Sequence, residues 1–380
     1  MLLHLNSQEY NKEQILLTNS FTDSYDDNIL QFCQIWLQGK TEFTINTSGS
    51  TGIPKPILIS RTQMLASAAM TSRKLELFAN SKALVCLHTD YIAGKMMLIR
   101  GLEHDWELFV QKPTNFPLQD FISANGNIQL DFAALVPTQL QQTIEMALQE
   151  QETTNNTKNT NNIFNYLNKM QAIIVGGATI SIHLEKLIQK HLTVPVYSTY
   201  GMTETVSHIA LKKINGNNKQ EYFSLMPNVE IEINDRNCLK IKGIVTKNEW
   251  IQTNDLVNLV FENANLVGFE WLGRIDNVVN SGGIKIQIEK IEREIELFFS
   301  EFANAKRFFV AGLQDNFWGE KLILVIEDSK WSSLEEKKLL EYLGNHLTKY
   351  EIPKQVFYIE QFVETETKKI NRKKNLEVIL

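Results

Sequence analysis

The sequence predicts an α/β protein in two parts, a large N-terminal domain over residues 1–275 and a small C-terminal α+β domain over 276–380. Three observations carry this expectation. Apolar strand-like runs alternate with amphipathic helical runs through most of the chain, the pattern of an α/β architecture. The texture changes after about residue 275, where a compact unit of about a hundred residues follows, close to the lower end of usual domain size. A length of 380 residues is long enough for two domains.

In order along the chain, "KALVCLHT" and "LDFAALVP" read as buried strands, and "TQLQQTIEMALQ" as the amphipathic helix after the second. "QAIIVGGATI" is a strand entering a glycine turn, "SIHLEKLIQKHL" a helix, and "VPVYSTYGMTET" a strand leading into a loop. "QETTNNTKNTNN" at 151–162 is polar and of low complexity, which predicts a surface loop. In the C-terminal part, Ile288, Ile291, Ile295 and Phe298 recur at helical spacing, and "KRFFVAGL" and "KLILVIED" read as strands. "SSLEEKKLLEYLGNHL" reads as a helix with a capping box at Ser332 and Glu335.

Composition narrows the function classes. The chain is 43% apolar and 22% charged, ordinary for a soluble globular protein. Its net charge of −6 argues against nucleic acid or an anionic membrane as principal partner. No apolar run approaches the roughly 20 residues that span a bilayer, and the N-terminus lacks the basic start and apolar core of a secretory signal. Cys33, Cys86 and Cys238 are scattered, which disfavours a disulfide framework or structural zinc site and suits a reducing, cytoplasmic compartment. The histidines show no metal-ligand spacing.

The most unusual segment is "NTSGSTGIPKPI" at 46–57. Two glycines permit unusual backbone angles while Pro54 and Pro56 remove amide donors, so the stretch is a loop rich in hydroxyls and free amides. Such a turn can cradle phosphate, with Lys55 adding charge, or it can be a plain surface turn; both readings stand at this point. It is not a Walker A loop, because Gly52 is followed by Ile53 and Pro54.

Three further segments follow it in order: "YGMTET" at 200–205, "TNDL" at 253–256 and "GRIDNVVNSGGIKI" at 273–286. The series resembles the core motifs of the adenylate-forming superfamily of acyl-CoA synthetases, adenylation domains and luciferases. The resemblance runs from about residue 44 to 376 and ends in a divergent final motif, "TKKINR". Within the superfamily, "LVPTQL" at 135–140, "IIVGGATI" at 173–180 and "TYGMTETVSHIA" at 199–210 look most like the o-succinylbenzoate–CoA ligase subgroup. The resemblance implies a large adenylate-forming domain shortened at its N-terminus, since only 46 residues precede Thr47.

It also implies a chemistry: a carboxylic acid, ATP with Mg²⁺, and coenzyme A react through an acyl-adenylate to an acyl-CoA. On that reading Thr47, Ser48, Gly49, Ser50, Thr51, Gly52 and Lys55 wrap the β and γ phosphates. Glu204 has the residue type for a Mg²⁺ ligand, and Thr203 bonds the α-phosphate. Tyr200 and Gly201 border the adenine, with Gly176, Gly177 and Ala178 leaving it room. Asp255 suits the ribose hydroxyls, with Arg274 a donor nearby. Lys369 bridges carboxylate and phosphate during adenylation, although the unusual "ETETKK" context leaves Lys368 as an alternative.

The resemblance places a hinge at Asp276, about which the small domain turns to present Gly282 and Gly283 to the pantetheine arm. In "HTDYIAGKMMLIRG", His88 is a pocket wall or packing residue, and Lys95 or Arg100 pairs with a second carboxylate. Without the motifs, each of these residues has an ordinary structural reading as turn, core or solvated surface. Two alternatives remain: an adenylating enzyme for another acid or a carrier-protein acceptor, and a non-catalytic nucleotide-binding protein. A homo-oligomer is compatible with the sequence.

Overall fold

The computed structural model describes residues 1–379 apart from 20–23, 47–54, 127, 155–162, 302–305 and 365–369, with the backbone alone for 150–154. The following account concerns the described residues. The chain opens with β1 (Leu2–Leu5) and β2 (Gln8–Asn11), and β3 (Glu42–Asn46) and β4 (Pro56–Ser60) form a separate antiparallel hairpin. Five short strands follow: β5 (Lys82–Val85), β6 (Glu107–Val110), β7 (Phe132–Leu135), β8 (Ala172–Val175) and β9 (Val196–Gly201). Next come β10 (His208–Lys213), β11 (Phe223–Leu225), β12 (Val229–Ile233), β13 (Cys238–Gly243), β14 (Ile251–Glu262) and β15 (Asn265–Arg274). All but the hairpin join one thirteen-stranded sheet, ordered β12-β13-β14-β15-β11-β10-β9-β8-β7-β5-β6-β1-β2.

The run from β9 to β1 is parallel, whereas β9 to β12 is antiparallel. The strand sequences explain the first half. In β5, Ala83 and Val85 enter one core cluster while Leu84 enters the other, and β7 and β8 divide in the same way. Both faces are covered, so these strands read as continuous apolar runs. One face is packed by α1 (Lys12–Leu17), α2 (Tyr25–Leu37), α3 (Arg61–Lys74) and α4 (Ile92–His104). The other is packed by α5 (Pro117–Asn125), α6 (Pro137–Thr154) and α7 (Ile182–His191).

The helix α6 runs on to Thr154, so residues 151–154 of the expected polar loop are helical; 155–162 lie outside the described residues. Alanine, leucine and glutamine favour helix strongly enough to carry the pattern through Glu150–Glu152. No helix among the described residues is long and apolar enough to cross a membrane.

The C-terminal domain is a five-stranded sheet of β16 (Val278–Ser281), β17 (Ile284–Gln287), β18 (Phe308–Asp315), β19 (Gly319–Glu327) and β20 (Gln355–Ile359). Its helix α8 (Ile288–Glu301) buries Ile288, Ile291, Ile295 and Phe298 against one sheet face beside α9 (Ser333–His346). The capping box between Ser332 and Glu335 opens α9. A last helix, α10 (Arg372–Ile379), lays Leu376 and Ile379 on the opposite face.

The strand β9 is tied down at its start by Asn215, which is 1% exposed. Its Oδ1 accepts from Val196 N at 3.0 Å, and its Nδ2 donates to the carbonyls of Leu192 at 2.7 Å and Val194 at 2.9 Å. Asn215→Leu leaves three buried backbone groups without partners, and we expect a loss of about 3 kcal/mol in urea unfolding.

Candidate active site

The carboxyl end of β9 meets a residue that is distant in the sheet. Tyr200 Oη donates to Asp255 Oδ2 at 2.8 Å, although β9 and β14 stand four strand steps apart. In a flat sheet those strands lie about 19 Å from each other. The antiparallel half therefore curls back over the end of the parallel half. Tyr200 fills the concave side, with its ring 4.9 Å from Phe269 and 5.8 Å from Phe223. Burial and the adjacent carboxylate push its phenol pKa up.

Asp255 is 8% exposed and accepts a second bond, from Trp271 Nε1 at 3.0 Å. Two acceptor positions on the carboxylate remain beyond these. Arg274 is its register partner across β14 and β15 and holds Asp276 at 2.7 Å. Asp276 also accepts from Asn254 Nδ2 at 3.1 Å, and the Arg274 bond leads the causes that hold its carboxyl below the usual range.

Gly176, Gly177 and Ala178 follow β8 directly, beside the carboxyl end of β9, to which β8 is parallel. Gly201 is required by close approach: a Cβ there would lie 2.3 Å from the Ser207 carbonyl oxygen. The chain then forms a short 3₁₀ turn, Thr203–Thr205, with Glu204 exposed and Thr203 half-buried. Val206, fully buried, sits at φ 67 and ψ −54, and Ser207 N donates to the Thr205 carbonyl at 2.7 Å. That is a γ-turn with positive φ, rare and strained for a β-branched residue.

A buried network holds this strained turn in place. Arg100, 2% exposed on α4, donates from Nη2 to Ser207 Oγ at 2.9 Å. Ser207 Oγ also meets His208 Nδ1 at 3.2 Å, and His208 Nε2 meets Thr71 Oγ1 on α3 at 3.0 Å. Burial, then the charge of Arg100, holds His208 well below the ordinary imidazole pKa. Val206, Ser207, His208, Thr71 and Trp271 were not singled out by the sequence. Only the histidine inside the apolar run "SHIAL" carried a signal, because a buried imidazole needs partners.

On the α4 side, His88 is exposed and pairs with Asp90 at 3.3 Å, its ring edge-on to those of Tyr25 and Tyr91. Lys95 Nζ donates to the Thr89 carbonyl at 2.5 Å and lies 5.5 Å from the Phe32 ring. Burial lowers its pKa. Arg100 differs in kind. Beyond Ser207 its guanidinium meets only Met97 Sδ, at 3.6 Å, its Nε has no hydrogen-bond partner, and no carboxylate pairs with it among the described residues. Burial pushes its pKa down to about 10.

The hydroxyl-rich loop is the connection of the β3–β4 hairpin, whose last register pair is Asn46 with Pro56. Thr47, Ser48, Gly49, Ser50, Thr51 and Gly52 lie outside the described residues, as do Lys368 and Lys369; Lys55 is exposed at the hairpin base. Gly282 and Gly283, at φ 59 and 81, form the two-residue turn between β16 and β17, the geometry that Gly-Gly pairs favour. The structure thus brings together Tyr200, Asp255 and Arg274, and sets Gly176–Ala178 and Thr203–Glu204 at the ends of neighbouring strands.

Comparison with known proteins agrees with this fold. A solved acyl-CoA synthetase (AMP-forming)/AMP-acid ligase II-like protein from Dyadobacter fermentans is 36% identical, with a TM-score of 0.60 over 98% of this chain and 99% of that one. The 2-succinylbenzoate–CoA ligase of Staphylococcus epidermidis is 25% identical over 354 residues, covering 86% of this chain and 68% of the relative's length. The o-succinylbenzoate coenzyme A synthetase of Bacillus subtilis, solved with ATP and magnesium ion, superposes with a TM-score of 0.68 at 22% identity, covering 87% of this chain and 68% of that one. Fold and site together define an AMP-forming enzyme of the acyl-CoA synthetase class. The family model for AMP-binding enzymes matches residues 36–243, and the chain belongs to that family.

The buried histidine has a pH signature. Unfolding frees His208 to bind a proton near pH 6.5, which the folded state resists, so its contribution is intact above that pH and lost as pH falls below it. Relative to His208→Gln, the native protein should lose stability by about 1.4 kcal/mol per pH unit between pH 6 and 5. Urea titrations of both proteins across that range provide the measurement.

Proposed function

We propose that the protein is an ATP-dependent acid–CoA ligase, and that its acid is o-succinylbenzoate, converted to o-succinylbenzoyl-CoA in menaquinone biosynthesis in the cytoplasm. A carboxylate is a poor electrophile, so it first attacks the α-phosphorus of ATP to give acyl-AMP and pyrophosphate. The CoA thiol then attacks the acyl carbon and AMP leaves. Catalysis of both steps is mainly positioning and charge stabilisation.

In this reading Tyr200 and the turn at 176–178 hold the adenine, and the free acceptor positions of Asp255 take the ribose hydroxyls. The loop from Thr47 to Lys55 closes on the outer phosphates, and Thr203 bonds the α-phosphate. Glu204 is exposed on a turn fixed from below, with no ion pair among the described residues, and so suits a Mg²⁺ ion held by one carboxylate and substrate phosphates. That ion would neutralise charge on the departing pyrophosphate. Residues 1–275 form the nucleotide- and acid-binding domain, and 276–380 the mobile domain that brings Lys369 to the phosphate and then, turning about Asp276, presents Gly282 and Gly283 to the pantetheine arm.

The observation that carries the choice of acid is Arg100. A buried guanidinium without a carboxylate partner is costly, and a substrate with a second carboxylate relieves that cost. A panel of mono- and dicarboxylic acids, with products read by mass spectrometry, tests this. We expect o-succinylbenzoyl-CoA to form, and Arg100→Met to raise KM for the dicarboxylate at least 100-fold, with a smaller loss of ATP affinity through the Glu204 turn that Arg100 supports. Preference for a monocarboxylate by the native enzyme would overturn the substrate assignment and leave the ligase chemistry standing.

The lysine assignment has its own test in the separated half-reactions. Lys369→Ala should reduce acid-dependent ATP–pyrophosphate exchange by at least 100-fold and spare thioester formation from supplied acyl-AMP. The same split seen with Lys368→Ala instead moves the role by one residue.

A further inference from the structure

The contact between the two domains carries an inference of its own. On α8, Glu296 is half-buried, and its Oε1 accepts from the backbone N–H of Ile182, the first residue of α7, at 2.9 Å. One turn further along each helix, Lys186 Nζ donates to Ser300 Oγ at 2.9 Å. The carboxylate of one domain thus sits on the amino end of a helix in the other, where backbone N–H groups lack partners within the helix. That end lies a few residues after Gly176, Gly177 and Ala178, the turn assigned to adenine.

We propose that Glu296 is a positioning residue: its carboxyl seats the small domain on the amino end of α7, and making or breaking this seat sets how the enzyme divides its time between the two half-reactions. The inference rests on the two-step ligase reading above. The contact is made of one hydrogen bond and one polar bridge, small enough to break in each cycle. An arrangement with the small domain rotated cannot keep both bonds, because each joins a fixed point on α8 to a fixed point on α7.

The seat is also sensitive to protons. Around Glu296 stand Arg293 and Glu292 on its own helix, and Glu185 and Lys186 on α7; Lys212 of β10 feels both Glu185 and Arg293. Burial outweighs the Ile182 N–H and Arg293 and pushes the carboxyl up to about 7 from an ordinary 4.5. The seated state therefore holds a proton that the unseated state releases. This preference is fully present below about pH 4.5 and is lost as pH rises through about 7. Between pH 6 and 8 the seated-to-unseated ratio should fall about tenfold.

The test uses the full chain with spin labels on Lys190→Cys and Lys337→Cys, both exposed, the three native cysteines being buried. Distance distributions at pH 6, 7 and 8 should shift from one population toward a second in the labelled parent. In Glu296→Gln, which keeps the acceptor and the shape, that pH response should vanish. In Glu296→Ala, which loses the acceptor, the seated population should lie below that of Glu296→Gln at every pH, and the ratio of ATP–pyrophosphate exchange to thioester formation from supplied acyl-AMP should change at least fivefold. Melting temperatures of both variants close to the parent's guard against simple unfolding. An unchanged pH response in Glu296→Gln, or equal losses in both half-reactions for Glu296→Ala, overturns the proposal. Absence of exchange with every acid in the parent overturns the ligase reading instead, and the label distances still decide whether Glu296 seats the domain.

Discussion

The hydrogen bond from Tyr200 to Asp255 is the constraint on which the candidate site depends. It closes a sheet whose two halves obey different rules: a parallel half buried on both faces, and an antiparallel half that curls across its end. Without the curl, the Tyr200 ring on β9 and the Asp255 carboxylate on β14, which we propose for adenine and ribose, lie too far apart to serve one nucleotide. With it, they are bonded neighbours, and Trp271 on β15 locks the carboxylate from the other side. The aromatic set Tyr200, Phe223 and Phe269 contributes the apolar burial that favours the curl, since all three rings meet only in the closed form.

A second constraint works beneath the turn that carries Glu204. Val206 is held in a backbone conformation that costs on the order of 1–3 kcal/mol, and such residues persist where their surroundings over-determine them. The surroundings here are Arg100, Ser207, His208 and Thr71, which join α4, the turn, β10 and α3. Arg100 thus faces two tasks. It donates to the residue just after the strained valine, and it is the buried cation assigned to the acid's second carboxylate. In the proposed reading, acid binding and the pose of the Glu204 turn are linked through a single guanidinium.

Much of the parallel half was legible in the sequence because burial on both faces writes itself locally: "FAAL" and "AIIV" are strands whatever surrounds them, and the Ser332–Glu335 box marks the start of α9. The antiparallel strands from β10 to β15 were not read out, because their pairing is set by partners far along the chain. The register of Asp255 against Arg274 and the bulge between His208 and Ala210 leave no mark within a short window. The motif residues were legible as a series, but not their partners. Trp271 stands in an ordinary strand sequence, and only the bulged register of β14 against β15 sets its indole beside Asp255. The polar stretch at 151–154 misled for the opposite reason, since its composition is that of a loop and its place is the end of a long amphipathic helix.

The small domain shows how position can be controlled by one helix. Along α8, Glu289 accepts from Arg274 N and Asn277 Nδ2 at the junction of the domains, at 3.2 and 2.7 Å. Glu292 pairs with Arg372, three residues beyond Lys369, at 3.0 Å and accepts from Val310 N. Glu296 reaches α7 of the other domain. Spacings of three and four residues put all three carboxylates on one side of the helix. In the proposed rotation about Asp276, the junction end of α8 would stay nearly in place while the Glu296 end swings away from α7. Distance from the junction separates the three carboxylates: the nearest bonds Arg274 and Asn277 at the proposed pivot, the middle one holds the start of α10, and the farthest touches the helix that a rotated domain would leave.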